Sequence, residues 1–464
     1  MRNRPAVVAV VAVLALVAAS CSNGGSKHAS ATTTTTTRPP VMVPAWTNTT
    51  FQPESNVVLA GGVFLVLGVS NKALSLFALD PATGKVVWQK PTTRGDAAGG
   101  ISLALYAIGG VVPYLRPTPD GKAQTLVAAD PATGADRWVS PVAVFDSMPA
   151  DCGDGVNICA GVESVGTFAF AAATGTRTPL DVGAQGRSIG VGIYDFGGRT
   201  PESFGAVTVQ KRLWSDTIDS VFGPKHSTDG GWDFEVYKNE SIIVGSVAPT
   251  PPPETKTTTA TQTDDVTNAS TVGLDAGTGK QVWSVAGSYL ACQGGAFIPA
   301  DSQVGSPPIP VLCQYAGTAT SDATGNVTLS GPTTVAGFDV RTGAIRWRFK
   351  SNNDPALIDA TKPHIQVDDN SVVLHNETGA LEVVNLMTGA SSPTTAATLG
   401  WCVTVGDYTV GAGDEGAGGF LLEPCHADGI HGGTPKAVPH AYTATTAGVT
   451  VYPSTSGVVG VRYQ

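Results

Sequence analysis

The chain has 464 residues, of which 56 are glycine and only 14% are charged, and its formal net charge is -10. An acidic balance with no basic cluster argues against a nucleic-acid partner. The lack of any long amphipathic helical pattern excludes a helical bundle, and frequent Thr and Val between Gly-bearing turns point to an all-β protein.

Residues 1–20 read as an export signal, with Arg2 and Arg4 ahead of the apolar run Ala6–Ala19 and then small residues. The run is shorter than the ~20 apolar residues of a spanning helix. Loss of the two arginines would take the charge from -10 to -10 - 2 = -12. Val17-Ala18-Ala19-Ser20-Cys21 resembles the lipobox of bacterial lipoproteins, which implies acylation of Cys21 as the new N-terminus. Cleavage after Ser20 by an ordinary signal peptidase is the alternative.

Residues 21–45 form a Thr/Pro-rich tether containing the run Thr32–Thr37, too poor in apolar residues to order itself. The remaining 46–464 are read as one folded body. Its organising phrase is Leu79-Asp80-Pro81-Ala82-Thr83-Gly84-Lys85-Val86-Val87-Trp88, a strand, a tight turn and a second strand. Asp80 can accept from backbone amides just ahead of it, Pro81 pre-sets φ, and Gly84 takes the left-handed conformation that closes the turn. The spacing recurs as Asp130, Gly134 and Trp138, as Asp275, Gly279 and Trp283, and as Asp339, Gly343 and Trp347. Worn copies follow Phe170, with Ala171 for Asp before Gly175, and Val384, with Asn385 for Asp before Gly389. A further unit ends on Trp214 without the turn. Residues 248–270, rich in Pro and Thr, are expected to be a disordered insertion within the unit that closes on Trp283.

Units of about 40–60 residues, each a four-stranded sheet, cannot bury both faces alone and stack radially. The count gives eight blades, with seven as the alternative, and the ring is expected to close by pairing N- and C-terminal strands. Trp46 would then lie on the outer strand of the last blade. The recurring tryptophans are expected to pack between blades, each indole N–H reaching a backbone carbonyl.

The phrase Leu-Asp-Pro-Ala-Thr-Gly-Lys-x-x-Trp resembles the PQQ-type β-propeller repeat of quinoprotein dehydrogenases and of BamB-like propeller lipoproteins. Quinoproteins also carry adjacent half-cystines and a Ca²⁺ site. Here Cys152 and Cys159 are the closest cysteines, and no ligand set is recognisable. The resemblance therefore implies the BamB-like, cofactor-free branch. The Thr tether, the insertion and the local cysteine pairs set the chain apart within it. The Ala/Val/Gly-rich style resembles that of high-GC actinobacterial envelope proteins.

Seven cysteines leave Cys21 unpaired beside Cys152/Cys159, Cys292/Cys313 and Cys402/Cys425. Nearest-neighbour disulfides suit an exported protein, each worth roughly 2.5–3.5 kcal/mol in a chain-entropy account. Six cysteines nevertheless allow 15 pairings. No Cys-x-x-Cys spacing points to zinc. His426, Asp428 and His431, with His440 nearby, read as a solvated loop rather than a metal site. Asp368-Asp369-Asn370 reads as a turn, and Gly411–Gly419 opens no helix and so cradles no phosphate. No catalytic constellation is evident. The expected function is that of a monomeric, lipid-anchored, extracytoplasmic binding or scaffold protein for an envelope protein or glycan, without cofactor or metal. A propeller enzyme (a divergent quinone-dependent dehydrogenase, a hydrolase or a lyase) and a ligand sensor are the alternatives.

Overall fold

A computed structural model describes residues 41–464 apart from 96–102, 184–185, 198–201, 225, 229–231, 248–261, 291–308, 322–326, 353–363, 410–414, 440–442 and 447. Cys21, the export signal, Cys292 and His440 lie outside the described residues.

Residues 40–464 form one compact unit, an all-β propeller of eight four-stranded blades. Blade one places Gln52–Pro53 and Val58–Ala60 innermost, followed outward by Val63–Ser70, Ala73–Leu79 and Val86–Pro91. Blades two to seven follow the same antiparallel order. In blade two the inner segment enters through the Ile108–Val111 bridge. Blade eight takes three strands from the end of the chain and its outermost strand, Met42–Asn48, from the beginning, paired with Gly457–Tyr463. That strand begins at Met42, inside the stretch read as tether.

Apolar faces of adjacent blades form a succession of cores. Leu65, Leu76 and Tyr114 join blades one and two, Phe204, Phe234 and Val272 join four and five, and Val66, Phe77 and Val451 join one and eight. This radial burial satisfies sheets that would be unstable singly.

The repeat phrase locks neighbouring blades at the rim. Asp80 Oδ1 accepts from the Ala82 and Thr83 amides at 3.1 and 2.9 Å and from the Thr83 hydroxyl at 2.7 Å. The Gly84 amide donates to the Asp80 carbonyl at 2.8 Å. The Thr83 hydroxyl above all holds the Asp80 carboxyl below its usual pKa. Into this turn docks the tryptophan of the preceding blade: the Trp46 indole N–H donates to Pro81 O at 3.0 Å. A Cβ on Gly84 would meet Trp46 at 2.2 Å. Glycine is thus required twice, for its φ of +67° and for the ring lying against it.

The same docking repeats for Trp88 with Pro131 O, Trp138 with Ala172 O, Trp214 with Ala276 O and Trp283 with Val340 O. The sequence groups each glycine with the tryptophan four residues after it, but the structure pairs it with the tryptophan that ends the preceding unit. Gly134 therefore lies under Trp88, Gly279 under Trp214 and not Trp283, and Gly343 under Trp283 and not Trp347. A Cβ would meet the ring at 2.5 Å on Gly279 and 2.6 Å on Gly343, whose φ values are +71° and +68°. Their amides close the turns onto Asp275 O at 2.9 Å and Asp339 O at 2.8 Å. Trp347 lies against Gly389. Asn385 makes the whole set of side-chain bonds that Asp80 makes. Ala171 cannot, yet its carbonyl still receives the Gly175 amide at 2.8 Å.

Two departures from the repeat stand out. Part of the insertion expected to be disordered is ordered. Gln262–Asp265 pairs with Thr318–Ser321, which pairs with Val327–Leu329, so connections of blades five and six build a three-stranded sheet outside the ring.

Secondly, Leu399–Thr409 and Glu415–His426 form a long hairpin between the strands of blades seven and eight. It extends the inner edge of blade seven by pairing His364, Ile365 and Gln366 with Val403, Cys402 and Trp401. Trp401, Val403 and Leu422 pack with Met42, Tyr452 and Val461 of blade eight. Glu423 Oε1 accepts from the Thr455 amide at 2.7 Å and the Ser454 hydroxyl at 2.5 Å. The Gly419 amide donates to Glu54 O of blade one at 2.7 Å. Cys402 and Cys425 are bonded within this hairpin, not inside a blade, and Cys152 is bonded to Cys159 in blade three. Cys313 is also disulfide-bonded.

Candidate functional site

Antiparallel order sorts the connections of every blade to two ends of the ring. At one end are the first-to-second and third-to-fourth strand turns, including the Asp-x-x-Thr-Gly turns, whose polar groups bond to one another. At the other end are the second-to-third connections and the links between blades. There lie Glu202, the helix Ile218–Phe222 and Thr228 of blades four and five, and the extra sheet beside blades five and six. Connections carried by a rigid scaffold are where binding sites are usually built.

At this end the inner strands of blades four and five, Arg187–Gly190 and Trp232–Tyr237, both begin. Arg187 donates from Nε to Asp195 Oδ2 at 3.0 Å and from Nη2 to Thr228 Oγ1 at 2.5 Å. The Thr228 hydroxyl is within hydrogen-bond reach of Asp195 Oδ2 at 2.9 Å and of Glu202, and can donate its single proton to either. The Thr228 amide donates to Glu202 Oε1 at 3.1 Å, and the Gly197 amide to Asp195 Oδ1 at 2.9 Å. Asp195 and Thr228 are buried. Asp195 and Thr228 therefore fix the guanidinium, with Glu202 holding Thr228 in turn, and its carbon lies 4.7 Å from the centre of the Trp232 ring. That is cation–π distance, and the stack holds the indole in place.

Trp232 differs from the other tryptophans of the chain. The seven others dock on a neighbouring blade or, for Trp401, donate to Ala437 O within the closing seam. Trp232 is 39% exposed, against 7% for Trp283 and 0% for Trp401. It opens a strand instead of ending a unit. Neither Arg187 nor Trp232 stood out in the sequence, although Trp232 is the tryptophan that follows a glycine pair, Gly230-Gly231, where the others follow the repeat spacing. Next to it, Asp233 points to the other side of the strand, and burial pushes its carboxyl up to about 6.

The sequence-predicted site residues are placed elsewhere. Asp80, Asp130, Asp275 and Asp339 hold the rim turns, Gly84, Gly134, Gly279 and Gly343 close them, and Trp88, Trp138, Trp283 and Trp347 fill the blade junctions. None of them reaches the Arg187–Trp232 corner. His426 and Asp428 sit in a turn where Asp428 Oδ1 accepts from the Ile430 amide at 3.1 Å. Asp368–Asn370 is the turn between two strands of blade seven. Among the described residues there is no group of three His, Cys, Asp or Glu arranged to hold a metal. Nor is any helix among them long and apolar enough to cross a membrane.

Residues 43–181, which include the closing strand and blades one to three, match the family described as "Outer membrane protein assembly factor BamB". These are PQQ-type repeats. Among solved structures, BamB from Moraxella catarrhalis is similar at 14% identity and a TM-score of 0.35, over 91% of this chain and 96% of that one. The computationally designed Ika8 protein matches at 12% identity and 0.40, over 91% and 99%. A europium-containing methanol dehydrogenase matches at 13% and 0.31, over 89% and 77%. No curated protein matches in sequence. The assignment of the fold rests on the strand pairing within this chain.

Proposed function

We propose that this propeller is a non-catalytic binding or scaffold protein of the cell envelope, held by a lipid on Cys21 at the extracytoplasmic face of the membrane and carrying the ring on the Thr-rich tether. The observation that carries the binding role is the Arg187–Trp232 corner. A large aromatic side chain is left open at the end of the ring that carries the links between blades, and the hydrogen-bonded Arg187 stacks against it. The rim turns, by contrast, satisfy themselves. An exposed, immobilised aromatic among polar groups is what recognition surfaces use and what packing alone does not require. The lipid anchor is supported by the Val17–Cys21 motif and by cysteine parity, since six of the seven cysteines fall into neighbouring pairs. The family matched by residues 43–181 is described as an assembly factor, which agrees with a role in holding partners.

The test is crosslinking in intact cells followed by purification of the full chain. One envelope component recovered with the wild type, and lost when Cys21→Ala releases the protein, is the expected result. Recovery of no specific component would defeat the scaffold reading. Mass spectrometry of the mature N-terminus checks the anchor: an unmodified Cys21 thiol would contradict it.

A further inference from the structure

We propose that Trp232 is the stacking platform of a carbohydrate site for a neutral pyranose ring of a glycan chain. The inference rests on the binding role argued above and specifies its ligand.

Three observations lead to it. First, the indole is pre-positioned. Arg187 is pinned by Asp195 and Thr228, and lies over the ring at 4.7 Å, so little conformational freedom remains to be lost when a ligand arrives. Second, the guanidinium narrows what can stack on the indole. It places a positive charge on one face and makes the ring a poor second site for a cation. A sugar instead offers C–H groups to the indole and hydroxyls to the polar groups around it. Polyanions are disfavoured as well, because Asp195 and Glu202 outnumber Arg187 locally and the chain carries a net charge of -10. Third, the setting is too polar for a protein hot spot. Trp232 is the only exposed large apolar residue among the described residues of the inner strands of blades four and five. The exposed Val86, Val87, Val139 and Val282 lie on the outermost strands of blades one, two and five, not on these inner strands. A protein interface would need a broader apolar centre.

The full chain would be titrated with β-1,4-linked tetramers of N-acetylglucosamine and of glucose, with a mannose tetramer, and with an oligogalacturonate. Tryptophan fluorescence and calorimetry would be read together. Saturable binding of a neutral tetramer is expected, with Trp232→Ala weakening it by at least about tenfold. The melting temperature should fall only slightly, since a partly exposed side chain and its stack with Arg187 are lost while the hydrogen bonds of Arg187 remain. Trp232→Phe should recover part of the affinity. Binding confined to the oligogalacturonate, binding of no tetramer, or equal binding by Trp232→Ala would overturn the proposal. Should no neutral tetramer bind while the crosslinking experiment still recovers its envelope component, the scaffold role stands and the carbohydrate assignment alone falls.

Discussion

The junction between blades one and two and the seam around blade eight do the same job by different means. At the first, Trp88 docks against Gly134 and donates to Pro131 O, a contact written by the repeat itself. At the second, the chain must join its beginning to its end. There the hairpin Leu399–His426 is added, pairing with blade seven, packing on blade eight and bonding to blade one. Repeated junctions are local and redundant, so loss of one leaves the others. The seam is single, and its stabilising contacts are concentrated in a few buried side chains.

The largest effect should come from Trp401→Ala. The residue is fully buried and donates to Ala437 O at 2.5 Å. A loss of about 3–5 kcal/mol is expected in urea unfolding. Trp88→Ala, at a half-buried rim position, should lose distinctly less, and equal losses would erase the distinction drawn between the two regions.

Next comes the crosslink within the seam. Replacing Cys402 and Cys425 by alanine should cost about 3 kcal/mol, and the shorter loop closed by Cys152 and Cys159 somewhat less. Melting of the two double variants side by side checks the order.

Acid separates the regions further. Burial lowers the His364 pKa from 6.5 to about 4 at the strand that receives the hairpin. The unfolded chain therefore takes up this proton first. The stability it contributes, about 3 kcal/mol at most, is complete above pH 6.5 and is lost as pH falls toward 4. The rim aspartates also have lowered values, with Thr83 the main cause at Asp80 and Arg346 at Asp339. Their contribution is lost only below the ordinary carboxylate value of 3.8. Hydrogen exchange should show the pairing of His364 with Val403 loosening between pH 6.5 and 4 while the Asp80 turn stays protected. Simultaneous loosening would count against the assignment to His364.

The smallest effects lie within single turns. Asp80→Ala should cost about 1 kcal/mol, since three donors lose their acceptor. Asp80→Asn should cost little, as Asn385 already makes the same bonds. Ala171→Asp should stabilise blade three by a few tenths of a kcal/mol. A destabilised Ala171→Asp variant would mean that the worn turn has settled into a geometry of its own.

Much of the ring was legible because its code is local. Asp80, Gly84 and Trp88 are close in sequence, and each carries a steric or hydrogen-bonding reason that can be read without coordinates. What the phrase does not disclose is the offset of its partners: Gly279 and Gly343 serve the tryptophans of the units before them, Trp214 and Trp283. Asn385 and Ala171 were readable as worn copies by spacing alone. Closure by Trp46 followed from a tryptophan with no motif upstream. The hairpin at Cys402 and Cys425 could not be placed, because its partners, Glu54, His364 and Tyr452, lie in three blades and no spacing relates them. The strand Gln262–Asp265 hid in a Pro- and Thr-rich stretch whose composition resembles a linker. Its pairing partner, Thr318–Ser321, is equally polar. The Arg187–Trp232 corner was invisible for a similar reason: its parts come from two inner strands and two connections, and only the ring brings them together.

The pairing of Met42–Asn48 with Gly457–Tyr463 sets an order of events for the newborn chain. The first strand made has no partner until the last one has been synthesised. Meanwhile blades one to seven can stack as an open arc, with the unfilled wedge of blade eight facing water. Such long-range pairing is slow. It gives that wedge a lifetime in which a chaperone or a second arc could occupy it, and the long hairpin beside it is placed to cover part of that surface while the ends find each other.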